Sequence, residues 1–179
     1  MTMIINTSES DNSLIPDNRL IKLDFRLDVV LVEPEIPQNT GNIARTCAAL
    51  GCSLHLIEPL GFSLRDRYLK RAGIDYWHMV DVSRYPSIDS FMASSPPGKY
   101  FFFSARAHKS YHTANFSGQV YLVFGKESTG FSSSIIEAYL DDLYRLPMRS
   151  EMRSINLASA AAVVMYEAFR QNGFGKLLI

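Results

Sequence analysis

From Asp28 onward the chain alternates short runs that are apolar at nearly every position with longer stretches in which apolar residues recur every third or fourth place. The first pattern predicts strands covered on both faces, and the second predicts helices with one inward side. "DVVLVEP" opens the series as a β-branched strand with no polar face. A helix follows from about Thr40 to Leu50, with Ile43, Ala44, Cys47, Ala48 and Leu50 turned inward and Gly51 as its stop. Then come a strand in "SLHLIEP", a basic helix near 63–72, a short strand in "HMVDVS", a helix near 87–94, strands in "KYFFFS" and "VYLVFG", a helix near 132–140, a strand in "LYRLP", and a long helix from about Ile155 to Asn172. This alternation predicts a single α/β domain over residues 27–179, built around a mostly parallel sheet. Residues 1–26 keep no sustained period and read as a polar N-terminal arm, either mobile and disordered or a late addition to the domain. There is no internal repeat or low-complexity segment.

Composition adds bounds. With 179 residues and 47% apolar content the chain suits one compact domain with a substantial core. No apolar run approaches the roughly 18 residues needed to span a bilayer, and the polar start has neither a charged n-region nor an apolar h-region, so a cytoplasmic protein without membrane contact is expected. Cys47 and Cys52 are too few for a disulfide framework or a four-thiolate metal site and read as reduced, structural residues. Net charge is zero, from 18 basic and 18 acidic residues, so composition does not announce a nucleic-acid binder. The positive charge is clustered, however. "SLRDRYLKRAG" holds Arg65, Arg67, Lys70 and Arg71, and "SARAHKSYH" holds Arg106 and Lys109; by pattern alone these are a solvated helix face and a polar loop.

In an open parallel sheet, ligands gather beyond the carboxyl ends of the strands. That rule selects "PEIPQNTGN", "GKESTG" and "PMRSEMRSIN". The middle loop has the outline of a phosphate loop but lacks the lysine after its second glycine, which disfavours an NTPase. No G-x-G-x-x-G follows the first strand, so an ordinary dinucleotide site is weak as well. Ser132 is placed to cap the next helix. His108 and His112 stand four apart without the H-E-x-x-H pattern, and no metal is expected. No G-x-S-x-G elbow is present. In the last segment Arg149, Arg153, Ser154 and Asn156 cluster after Pro147, ahead of a helix whose Ala158, Ala160, Ala161 and Ala162 permit close packing against a loop or a symmetry mate.

Taken together, the three loops resemble the three motifs of the SpoU class of SPOUT RNA methyltransferases. The first, N-x-G-x-x-x-R, is matched by Asn39, Gly41 and Arg45; the second by "LVFGKESTGFS"; the third by "RLPM" and "RSINLASAAAVVMYEA". The likeness runs from about residue 28 to 174. Short length and the opening "EPEIPQNTGNIAR" are most similar to the small enzymes that methylate the ribose 2′-OH of the tRNA wobble nucleotide. The resemblance implies an α/β fold with a mostly parallel sheet, helices on both faces and a trefoil knot, which is a rare exception among folds. It implies S-adenosylmethionine as cofactor, S-adenosylhomocysteine as product, no metal, and a homodimer acting on tRNA. The usual target would be cytidine or uridine at position 34 of leucine tRNAs. Ribosomal RNA, another tRNA position, or RNA binding without catalysis are the alternatives.

Residue by residue, the resemblance places Phe103, Ser104, Gly125, Glu127, Leu146, Met148 and Ser154 around the cofactor. It places Arg45, Asn39, Ser154 and Asn156 at the reaction, with Tyr166 packing or hydrogen-bonding beneath the site. A guanidinium, with a pKa above about 12, is a poor base, so steadying developing alkoxide charge or gripping the neighbouring phosphate asks less of Arg45 than taking the 2′-OH proton. Asn39 would orient that arginine or the ribose. Arg65, Arg67, Lys70, Arg71, Arg106 and Lys109 would follow tRNA phosphates.

Overall fold

The computed structural model describes residues 25–64, 76–175 and 177. Within them the chain runs β1 (Arg26–Val32), α1 (Pro37–Leu50), β2 (Ser53–Ile57), β3 (Val82–Tyr85), α2 (Ile88–Ser94), β4 (Lys99–Phe103), β5 (Lys109–Ser110), β6 (Gln119–Phe124), α3 (Ser133–Ala138), β7 (Leu143–Arg145) and α4 (Leu157–Gln171). The strands form one seven-stranded sheet in the order β3-β2-β1-β6-β4-β7-β5. Every ladder in it is parallel.

Strands β1, β2, β4 and β6 are covered on both faces. On one, Val29, Leu31, Leu54, Leu56, Leu122 and Phe124 pack with Ile43, Ala44 and Cys47 of α1 and Ala161, Val164, Met165 and Ala168 of α4. On the other, Val30, Val32, Ile57, Phe102, Tyr121 and Val123 pack with Phe91 of α2 and Phe131. Each large side chain so buried contributes about 1.5–3 kcal/mol. Both cysteines lie in the first core as free thiols, and burial raises the Cys47 thiol to about 12.

Element ends differ from the expected ones for local reasons. Helix α1 begins at Pro37, three residues before Thr40, because proline fits a first helical position where no intrahelical amide bond is needed. Asn39, Thr40 and Gly41 therefore form the buried first turn of the helix and not a loop. Helix α4 begins at Leu157 because Asn156 is its cap, accepting from the Ser159 amide. Ser132 caps α3 as expected, accepting from Ile135. The two-residue strand β5, in the stretch read as a polar loop, is too short to show a period. The basic helix expected near 63–72 falls largely in 65–75, and the N-terminal arm largely in 1–24, both outside the described residues.

Candidate active site

Strands β1 and β6 lie side by side at the centre of the sheet, with β2 and β3 beyond β1 and β4, β7 and β5 beyond β6. The chain order reverses between them, and the loops leaving their carboxyl ends open a crevice at that switch point. The first loop, 33–36, leads into α1. The second, 125–132, closes on itself: the Gly130 amide donates to the Lys126 carbonyl at 3.0 Å, and Gly130 takes φ +70°. A Cβ on Gly125 would sit 2.6 Å from the Gly130 carbonyl carbon and 2.8 Å from the Phe131 nitrogen, so this position requires glycine.

The side chains between these loops account for the residues that the sequence left least explained. The Glu127 carboxylate accepts from the amides of Glu35 (2.8 Å) and Ile36 (3.2 Å) and from Asn39 Nδ2 (3.0 Å). Asn39 is nearly buried, and its Oδ1 accepts from Asn156 Nδ2 at 3.0 Å. Asn156 Oδ1 in turn caps α4 through Ser159. One chain of hydrogen bonds thus joins residues from all three motif segments. A carboxylate has about four acceptor positions, and Glu127 has filled three of them with protein.

Two further ties were not visible in the sequence. Lys126 Nζ lies 2.6 Å from Glu33 Oε2, and this contact raises the lysine pKa. Glu35 accepts from the hydroxyl and the amide of Ser128, each at 2.9 Å, and these bonds, the hydroxyl first, hold its carboxyl below the usual range. The available signal was the complementarity of "EPE" after β1 and "KES" after β6.

The other expected residues fall into separate groups. Phe103, Gly125 and Leu146 sit at or just beyond the ends of β4, β6 and β7, which are adjacent; Phe103 is in register with Phe124 and with Tyr144. Ser104 follows directly, its amide donating to the Tyr144 carbonyl and its hydroxyl accepting from the Arg106 amide. Phe103 and Leu146 are buried, Met148 is half-buried, and Ser154 is exposed in the loop before Asn156. Arg45 is exposed on α1, apart from the Asn39 network, with its guanidinium carbon 5.0 Å from the centre of the Tyr76 ring. Among the described residues no carboxylate pairs with it. Arg106 is exposed, while Lys109 donates to the Asp141 carbonyl and lies over Tyr144. Arg65, Arg67, Lys70 and Arg71 lie outside the described residues.

Tyr166 does not pack beneath the site: it is 49% exposed. It follows Ser159 and Val163 along the outward side of α4, while Ala161, Val164, Met165 and Ala168 take the inward side. His112 accepts or donates at Nδ1 with the Ser110 hydroxyl, 2.7 Å away.

The model of the SpoU rRNA Methylase family matches residues 26–166. The tRNA (cytidine(34)-2′-O)-methyltransferase of Saccharophagus degradans is 46% identical over 148 residues, which is 82% of this chain and 96% of that relative. A solved structure described as "Structural insights into the 2-OH methylation of C/U34 on tRNA" is 47% identical with a TM-score of 0.78, covering 83% of this chain and 97% of that one. The SpoU methyltransferase AviRb of Streptomyces viridochromogenes, in complex with the cofactor AdoMet, is 25% identical with a TM-score of 0.72, covering 86% of this chain and 60% of that one.

Proposed function

Since the chain belongs to the SpoU rRNA Methylase family, we propose that it methylates the ribose 2′-OH of the wobble nucleotide of tRNA, cytidine or uridine 34, with S-adenosylmethionine as donor. Leucine tRNAs are the proposed substrates and the cytoplasm the proposed location. The observation that carries this reading is the Glu127–Asn39–Asn156 chain, which draws the three motif segments to one crevice at the sheet's switch point. Relatives of near-equal length named for this reaction support the choice of wobble nucleotide.

The residues present fit the cofactor by their chemistry. Phe103 and Leu146 offer apolar surface for a purine face, and three adjacent strand ends at Ser104, Gly125 and Leu146 offer main-chain groups for its edge. Met148 and Ser154 would complete the pocket, and Glu127 would act in it chiefly by shaping the loops, since most of its acceptor capacity is taken. When bound, S-adenosylmethionine supplies a methyl group already activated on a sulfonium, so no metal is required. The trefoil knot implied by the family likeness would form where the chain passes from β7 to α4.

What this chain must then do is hold the ribose in line and steady the charge that develops on its oxygen. Holding reactants at attack distance can supply roughly 7–11 kcal/mol of a barrier. Arg45 is assigned to the second task or to the neighbouring phosphate, because its guanidinium is exposed and free of acidic partners among the described residues. Asn39, bonded to Glu127 and Asn156, would fix the helix that carries Arg45. Arg65, Arg67, Lys70, Arg71, Arg106 and Lys109 are proposed to follow tRNA phosphates. A second copy of the chain is proposed to cover the exposed Val163 and Tyr166 of α4 together with Ile36, Met152 and Ile155.

The test is incubation with labelled S-adenosylmethionine and unmodified total tRNA, followed by mapping of the 2′-O-methylated nucleotide. Label at the wobble ribose of one or two tRNAs is the expected result. Label at another position, or on ribosomal RNA alone, would overturn the substrate assignment.

A further inference from the structure

Two carboxylates cross between the loops after β1 and β6 in opposite directions. Glu127 reaches from the second loop to the Glu35 and Ile36 amides of the first, and Glu35 reaches from the first loop to the Ser128 amide and hydroxyl of the second. The contacts close a ring: Glu35 side chain to Ser128, along the main chain to Glu127, and through the Glu127 side chain back to the Glu35 main chain. The ring is backed from behind. A Cβ on Gly61 would lie 2.8 Å from the Glu35 Cα, and the Gly61 amide donates to the Pro34 carbonyl at 2.9 Å, so the first loop has little room to retreat. It is flanked by the Lys126–Glu33 contact.

The ring matters because α1 has no side-chain cap of its own. Its cap position is Ile36, and the amides before its first turn are satisfied by Glu127 from another loop. A carboxylate there also faces the positive end of the helix dipole. The direction of Glu127 therefore sets the start of the helix that carries Asn39 and Arg45, and Ser128, next to Glu127, is where Glu35 takes hold.

We propose that Glu35 is a positioning residue for methyl transfer: through Ser128 it fixes Glu127, and through Glu127 it fixes Asn39, Asn156 and the first turn of α1. The role in transfer rests on the methyltransferase reading above. A misplacement of about 1 Å at a reacting centre costs up to about a hundredfold in rate, so a ring that holds the acceptor side in place acts on kcat more than on cofactor affinity.

The experiment compares Glu35→Ala, Ser128→Ala, Glu35→Gln and the double variant Glu35→Ala/Ser128→Ala with the native chain. Each alanine variant is expected to lower kcat about tenfold while KM for S-adenosylmethionine stays within about twofold. Glu35→Gln keeps groups that can bond both the amide and the hydroxyl of Ser128, and it recovers most of the rate. Because both alanine changes open the same ring, the double variant is no slower than either single one. Amide hydrogen exchange, measured without RNA or cofactor, gives a second readout: Ser128→Ala speeds exchange at Ile36, on the opposite loop. Multiplying losses in the double variant, a parallel fall in cofactor affinity and kcat, or unchanged exchange at Ile36 would overturn the proposal. If the native chain transfers no methyl group to RNA, the methyltransferase reading fails on its own, and the Ile36 exchange rate still decides whether Glu35 fixes Glu127.

Discussion

Arg45 is the residue on which the proposed chemistry depends most. It stands exposed, against the Tyr76 ring, on a helix whose start is held by Glu127. Arg45→Ala is expected to lower methylation at least a hundredfold while leaving S-adenosylmethionine affinity within about twofold, as measured by single-turnover kinetics and calorimetry. Activity within a few fold of native would remove the assignment. At Glu35 the expected effect is on pH dependence. Its carboxyl is held below the ordinary carboxylate value by the Ser128 hydroxyl and amide, so the folded state gains from the ionised form. That contribution is complete above the ordinary carboxylate value and is lost as pH falls through the depressed one. Ser128→Ala should return the Glu35 titration, followed by carboxyl NMR, toward its ordinary value, and the stability gap between the two proteins should narrow on acidification. Asn39, Arg45, Glu127 and Asn156 stood out in the sequence as polar or charged residues in or just after loops beyond strand ends, and it was the resemblance to the three SpoU motifs that made them site candidates. Glu33, Glu35 and Ser128 did not, since an acid or a serine in a loop shows its use only when its partner 93 residues away is placed beside it.

At the scale of elements, the loop between β6 and α3 is tightly constrained at Gly125. Gly125→Ala would drive a methyl group into the main chain of Gly130 and Phe131, neither of which is a flexible side-chain end. The expected loss is about 1–3 kcal/mol of unfolding free energy in a denaturant titration, with cofactor binding weakened as well. An unchanged midpoint would mean that the loop shifts without cost. Most elements could be read from periodicity, because β1, β2, β4 and β6 are buried on both faces and α1 and α4 each turn one side to the core. Strand β5, with two residues, carries too little pattern to place by itself, whereas the three-residue β7 lies where "LYRLP" predicts a strand. The start of α1 was read late because Asn39, Thr40 and Gly41 look like turn residues; Pro37 and the carboxylate supplied by Glu127 let them be helical instead.

For the whole molecule, sequence patterning pointed to a parallel sheet with two covered faces, but not to its strand order, which depends on pairings such as β1 with β6 across about half of the chain. The outward side of α4 presents Val163 and Tyr166 at 45% and 49% exposure, more apolar surface than a well-covered helix shows. Val163→Asp together with Tyr166→Asp is expected to convert a dimer to a monomer in light scattering, with the fold retained by circular dichroism. A native chain that is monomeric at micromolar concentration would refute the proposed pairing. Formal charge is zero overall, so any grip on tRNA must come from local clusters, and the binding constant should fall by about 0.7–0.9 log units per contacted phosphate for each tenfold rise in salt.

The span of the Asn39–Asn156 hydrogen bond has a consequence for how the protein comes into being. The two side chains are 117 residues apart, and Glu127 lies between them in sequence. During synthesis the crevice can close only after Asn156 and the helix behind it have emerged from the ribosome. Truncated or prematurely released chains hold most of the sheet but lack the last third of the site. On the proposed reading, methylating capacity therefore arises late in synthesis, once the segment that carries Asn156 is in place.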